Sequence, residues 1–144
     1  MIQAIENLIV SVLKSADSGN LYNISALVDN LDNAFSLDNL PAIYVTFDSE
    51  SDESLSIDPE CYLFNYNFDV LMLTKYWRSR IENKDVMYDM ITIVKNTLIG
   101  NNLDNYGIAP LIPIGATKIQ LNEKTGLWTC VYTFRTNVDS GTVL

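Results

Sequence analysis

The chain has 144 residues, 9 Lys and Arg against 18 Asp and Glu, no His and 2 Cys, with 48% hydrophobic and 19% charged residues. This composition suits one globular domain spanning 1–144 that folds without staples, and the lack of His excludes Ser–His, Cys–His and His–metal chemistry. A net charge of −9 repels a phosphate backbone, so no specific nucleic-acid recognition is expected.

From Ile2 the apolar residues Ile2, Ile5, Leu8, Ile9, Val12 and Leu13 are three and four apart, which predicts an amphipathic helix. Asp17, Ser18, Gly19 and Asn20 end it. The start lacks the basic residues of a signal peptide, and no run of 18 apolar residues occurs, so a soluble cytoplasmic product with no membrane contact is expected. Residues 21–40 carry no clear period: Leu27, Val28, Leu31 and Phe35 allow a short helix, while the Asn and Asp residues favour turns.

Pro41 introduces AIYVTF, a predicted strand over 42–47. Residues 48–60 (DSESDESLSIDPE) hold six acids, Asp48, Glu50, Asp52, Glu53, Asp58 and Glu60, and no base, and read as a solvated, mobile loop. A long strand is predicted over 62–77, where Phe64, Tyr66, Phe68, Val70 and Met72 alternate with Asn65, Asn67, Asp69, Leu71 and Leu73. Its second face turns apolar toward the far end, which calls for cover on both faces by the fold or by a partner.

A second helix is predicted over 84–99, capped by Asn83 and stopped by Gly100, with Val86, Met87, Met90, Ile91, Val94 and Leu98 on one face. Two alternating runs, 114–121 and 127–136, joined by NEKTG, describe a hairpin that places Trp128, Cys130, Tyr132 and Phe134 on one face. The element order predicts an α+β fold: a mostly antiparallel sheet of about four strands with two amphipathic helices packed on one face.

No residue set points to catalysis or to a cofactor. The acidic stretch offers oxygen ligands of the kind calcium takes, but at the EF-hand positions that require Gly and Glu it has Glu53 and Pro59. Carboxylates in a mobile loop do not define a glycosidase pair. The glycines are isolated and form no phosphate loop. Met72, Met87 and Met90 fall at core spacing, and Cys61 and Cys130 read as buried, reduced thiols.

Lys75, Trp77, Arg78, Arg80 and Lys84 form a basic, aromatic patch with three readings: a solvated strand end, a docking patch for the acidic surface of another copy, or a nucleic-acid contact. Charge partition favours attention to the second. Residues 1–74 hold twelve acids and one base, net −11, whereas 75–144 hold six acids and eight bases, net +2.

The segments IENLIVSVLKSA, LPAIYV, YLFNYNFDVLML, VMYDMITIVKNTLIG and KIQLNEKTGLWTCVYTFRT, in that order, resemble the tail terminator family of long-tailed bacteriophages, whose relatives include neck and minor tail proteins and components of contractile injection particles. The resemblance implies a virion structural protein without an active site or cofactor. It implies a ring, usually of six copies, on the neck end of the tail tube, assembled in the host cytoplasm. Such a ring ends tube growth and presents a surface to the head–tail connector. The implied partners are other copies, the tube, a sheath protein where there is one, and DNA passing through without recognition. In such a ring the acidic loop is expected to face the bore, and the apolar part of 71–77 to be covered by the neighbour. The alternative from another class is a small acidic adaptor that responds to calcium; an enzyme is a third.

Overall fold

The computed structural model describes residues 2–27, 40–53, 63–75, 80–101, 110–116, 119–122, 124 and 126–139, with backbone alone for 51–53, 63–64, 80–83, 116 and 138–139. Helix α1 (Ile2–Ala16) buries Ile5, Ile9 and Leu13, one residue per turn along one stripe. Asp17 ends the helix and organises the exit. Its carboxylate accepts the backbone N–H of Leu21 (3.1 Å) and of Tyr22 (3.0 Å), and Asn20 turns the chain with φ 50°.

That turn delivers strand β1 (Asn23–Ala26), which pairs in parallel with β2 (Ala42–Glu53). The sequence carries no strand signal at β1: four residues, one buried apolar side chain (Ile24), and an edge position. β2 pairs antiparallel with β3 (Leu63–Lys75), and β3 with β6 (Leu127–Asp139). Helix α2 (Arg80–Leu98) follows β3, and β4 (Ile112–Ala116) and β5 (Gln120–Asn122) both pair with β6. The strand order is β1-β2-β3-β6-β4, with β5 also on β6. The fold is α+β with a mostly antiparallel sheet, as predicted, but among the described residues the sheet has six strands where about four were expected.

Register shows how one core forms. Ile43, Met72 and Cys130 are aligned across β2, β3 and β6, and so are Phe47, Phe68 and Phe134. These side chains, with Val45, Val70 and Trp128, meet α1 and the buried Met87, Met90, Val94 and Leu98 of α2 in one apolar cluster. Both helices therefore lie on the same face. The three predicted core methionines are each fully buried.

Several boundaries differ from the sequence reading. β2 continues through Glu53, so Asp48, Glu50, Asp52 and Glu53 stand on a strand and not in a mobile loop; pairing with 63–68 of β3 overrides their low strand propensity. A bulge between Phe47 and Ser49 absorbs the change. α2 begins at Arg80, which puts Asn83 inside the helix instead of at its cap. Its other end is as expected: Gly100 has φ 75° and donates its N–H to the Leu111 carbonyl (2.9 Å).

The hairpin also exists, but its first arm is broken. Gly126, at φ 71°, closes the turn on the Asn122 carbonyl (2.8 Å). β4 and β5 pair with β6 in registers that differ by one residue, Ala116 opposite Tyr132 and Gln120 opposite Thr129, and a second irregularity falls between Pro113 and Gly115. Proline has no N–H for the ladder and is tolerated at an edge, where β4 sits.

The apolar end of β3 is covered from within the chain. Leu73 is buried with Ala42 and Tyr44, and Leu27, Leu40 and Leu71 pack around them. Leu73 thus needs no neighbour to cover it, whereas Leu71 and Lys75 remain half-buried and Trp77 lies outside the described residues.

Candidate interaction surfaces

The face away from the helices changes character along the strands. Its polar part is built from aligned residues: Thr46, Asp69 and Thr133 in one row, then Ser49, Asn67 and Arg135, then Ser51, Asn65 and Asn137. Arg135 Nε donates to Asn67 Oδ1 (3.2 Å), Asn67 Nδ2 donates to Ser49 Oγ (2.9 Å), and Ser49 Oγ donates to Asp48 Oδ2 (3.1 Å). This relay ties the three central strands together on the side the helices do not cover, and it fixes the direction of the Asn67 amide.

Asp69 sits beside the relay. Burial raises its carboxyl above the ordinary 3.8, the donated hydrogen bond from Thr133 Oγ1 (2.7 Å) lowers it, and the neighbouring Asp48 raises it again. A carboxyl whose folded-state pKa is raised contributes stability at low pH and loses it as pH rises through that raised value. We therefore expect Asp69→Asn to unfold at a higher temperature than wild type at neutral pH and to show a flatter decline of stability with rising pH. Parallel melting curves in both proteins check this; a lower neutral-pH midpoint in the variant would contradict it.

Asn65, 1% exposed, and its register partner Asn137 have a buried Nδ2 and Oδ1, respectively, without a hydrogen-bond partner. On the helix side, Glu6 Oε2 accepts the Phe47 N–H (2.9 Å), which joins α1 to β2 at the bulge. Cys130 is buried and in no disulfide; burial raises its thiol above the ordinary 9.0 and the Lys95 charge lowers it, while Cys61 lies outside the described residues.

The acidic stretch and the basic patch are only partly placed. Asp48 and Glu50 are exposed on β2; Asp52 and Glu53 continue the strand, and Asp58 and Glu60 lie outside the described residues. Of the patch, Lys75 ends β3 half-buried and Lys84 is exposed one turn into α2, which begins at Arg80. Trp77 and Arg78 lie outside the described residues. Among the described residues no group of three or more acids or cysteines could hold a metal ion, and no described helix is long and apolar enough to cross a membrane.

Two surfaces were not singled out by the sequence. At the β4 edge, Ile112 and Ile114 are 49% and 41% exposed, although alternation alone would have hidden one face. Arg135 is the register partner of Ile112, and Lys95 Nζ lies 5.5 Å from the ring centre of Tyr132, the partner of Ala116. Lys95 thus puts a cation near this edge on the helix side, while Arg135, on the other side, turns toward β3 to meet Asn67. At the other end of the sheet, beside β1, Leu21 is 66% exposed. Burial and then the carboxylates of Asp89 and Asp17 hold the neighbouring Tyr22 hydroxyl above its ordinary 10.0. That corner is acidic.

The class defined by this architecture is an α+β sheet protein whose two sheet ends differ in charge and whose described residues present no catalytic grouping. No protein-family model matches the sequence, and a search of curated proteins finds no match. Among solved structures, the fold is similar to that of a chain in the virion of the native gene transfer agent particle, with a TM-score of 0.51 and 17% identity. The match covers 92% of this chain and 84% of that one. It is a similarity of fold.

Proposed function

We propose that the chain is a structural component of a phage or phage-like virion, which caps the tail tube as a ring at the neck end. In that role it ends tube polymerisation and offers a docking surface to the head–tail connector. The observation that carries the reading is the fold shared with a chain of the gene transfer agent virion over nearly the whole length of this one. The resemblance to the tail terminator family, which rests on the order of elements and on the character of the LPAIYV and GLWTCVYTF segments, points the same way.

The physical features support a ring better than they support a lone adaptor. The two ends of the sheet are unlike in charge and side chains, as a heterologous contact between identical copies requires. Asp48 and Glu50 are exposed on β2, and with Asp52 and Glu53 they give the strand's outer half a negative charge. Turned toward a bore, that charge lets DNA pass without sticking, since binding to DNA depends on phosphate neutralisation by cations. Proton transfer plays no part in this function.

Electron microscopy of purified tail tubes mixed with the protein tests the proposal. Extra density confined to one end, with tubes that no longer elongate when tube subunits are added, is the expected result. Tubes with bare ends and continued growth would overturn it.

A further inference from the structure

We infer that neighbouring copies meet end to end along their sheets, the β4 edge of one copy docking on the acidic corner beside β1 of the next. The inference rests on the ring reading above and names the contact that would build the ring.

Three observations carry it. The first is apolar exposure at both ends. Ile112 and Ile114 project at the β4 edge and Leu21 beside β1, and these are three of the five large hydrophobic residues that stand exposed among those described. Such side chains lose water-exposed area most readily against one another.

The second is charge. Lys95 lies over Tyr132, the register partner of Ala116 on β4, whereas the exposed Asp89 stands beside Tyr22 at the other end, where the buried Asp17 adds negative charge. Helix α2 contributes to both ends. Asp89 and Lys95 are six residues apart, about 240° around a helix of 3.6 residues per turn, so one points toward the α1 and β1 side and the other toward β6. One helix thus presents an acid to one neighbour and a base to the other.

The third is the form of the β4 edge itself. Pro113 has no N–H, and the irregularity at Ile114 breaks the register, so this edge is a poor template for a further strand. The contact is therefore made by side chains, with no continuous intermolecular sheet. Because the two ends of one sheet are different surfaces, the contact is heterologous; it propagates head to tail and closes into a ring when the rotation per copy allows.

The test uses the full chain and tail tubes, with oligomer mass read at low and at high salt. Lys95→Glu and Asp89→Lys should each weaken oligomer formation about tenfold or more at low salt, and the double variant should recover it, because every contact then has both charges exchanged. High salt should narrow the differences. Ile114→Asp should abolish assembly while the variant still unfolds in one cooperative transition, since much of the side chain is exposed in the single copy. If wild type forms rings and all these variants form them equally well, the edge assignment fails and the ring reading stands. If wild type remains a monomer on tubes, both fail.

Discussion

Phe68→Ala should cost the fold about 3–5 kcal/mol, a large share of the roughly 5–15 kcal/mol by which domains of this kind are stable. Phe68 is fully buried at the centre of the sheet, aligned with Phe47 on β2 and Phe134 on β6. Its ring meets Phe47 edge to face at 5.7 Å, so truncation removes an aromatic pair as well as apolar area. The site cannot collapse easily, because three long strands hold its walls in register. Urea denaturation checks the value: a midpoint close to wild type would mean that the centre of the core lies elsewhere. Leucine at the same position should recover part of the loss, since it restores volume but not the ring contact.

Asp17→Ala should cost about 2–3 kcal/mol through a different mechanism. The Asp17 carboxylate is buried and accepts two backbone N–H groups, those of Leu21 and Tyr22, in the turn that follows α1. Hydrogen bonds to a charged acceptor contribute more than neutral ones, and removing the acceptor strands both donors in a part-buried turn. Asp17→Asn keeps one carbonyl oxygen and should lose about half as much. The same denaturation experiment distinguishes the two substitutions, and equal stability of all three proteins would remove Asp17 from any structural role. Since Asp17 also positions the chain for β1, its loss should increase hydrogen exchange at Ile24 and Ser25 before it unfolds the remainder of the sheet.

Much of this architecture was legible because the long elements have clear periods. The alternation from Tyr66 to Met72 and from Trp128 to Phe134 assigns one face of β3 and β6 correctly, and the stripe of Ile5, Ile9 and Leu13 assigns α1. Short or charged elements were hidden for physical reasons. β1 has a single buried apolar side chain and pairs in parallel with residues that begin at Ala42, so neither period nor proximity announces it. The acids of 48–53 read as loop by composition, yet long antiparallel partners on β3 hold that backbone in the ladder. Asn83 has the chemistry of a cap, but the helix starts earlier, at Arg80.

The surfaces were less legible than the core. The division of charge along the sequence pointed to contact between copies, but it does not map onto the ends of the sheet: Asp89 stands at the acidic end although it belongs, with Lys95, to the net-positive stretch 75–144. The pattern of bases and aromatics from Lys75 to Lys84 is placed only in part: Lys75 ends a strand half-buried and Lys84 is exposed on a helix, while Trp77 and Arg78 lie outside the described residues. No local signal marks the β4 edge as exposed, because exposure of Ile112 and Ile114 depends on which strands pair beyond them. Strand order is a property of the whole chain.

Native mass spectrometry of the protein incubated with tail tubes, then released from them by mild dissociation, tests the central claim most directly. The ring account predicts a discrete species at a fixed multiple of the 16.2 kDa chain mass, six copies by the family resemblance, in proportion to the number of tube ends. A chain that is recovered at 16.2 kDa alone, whatever the amount of tube supplied, would contradict it.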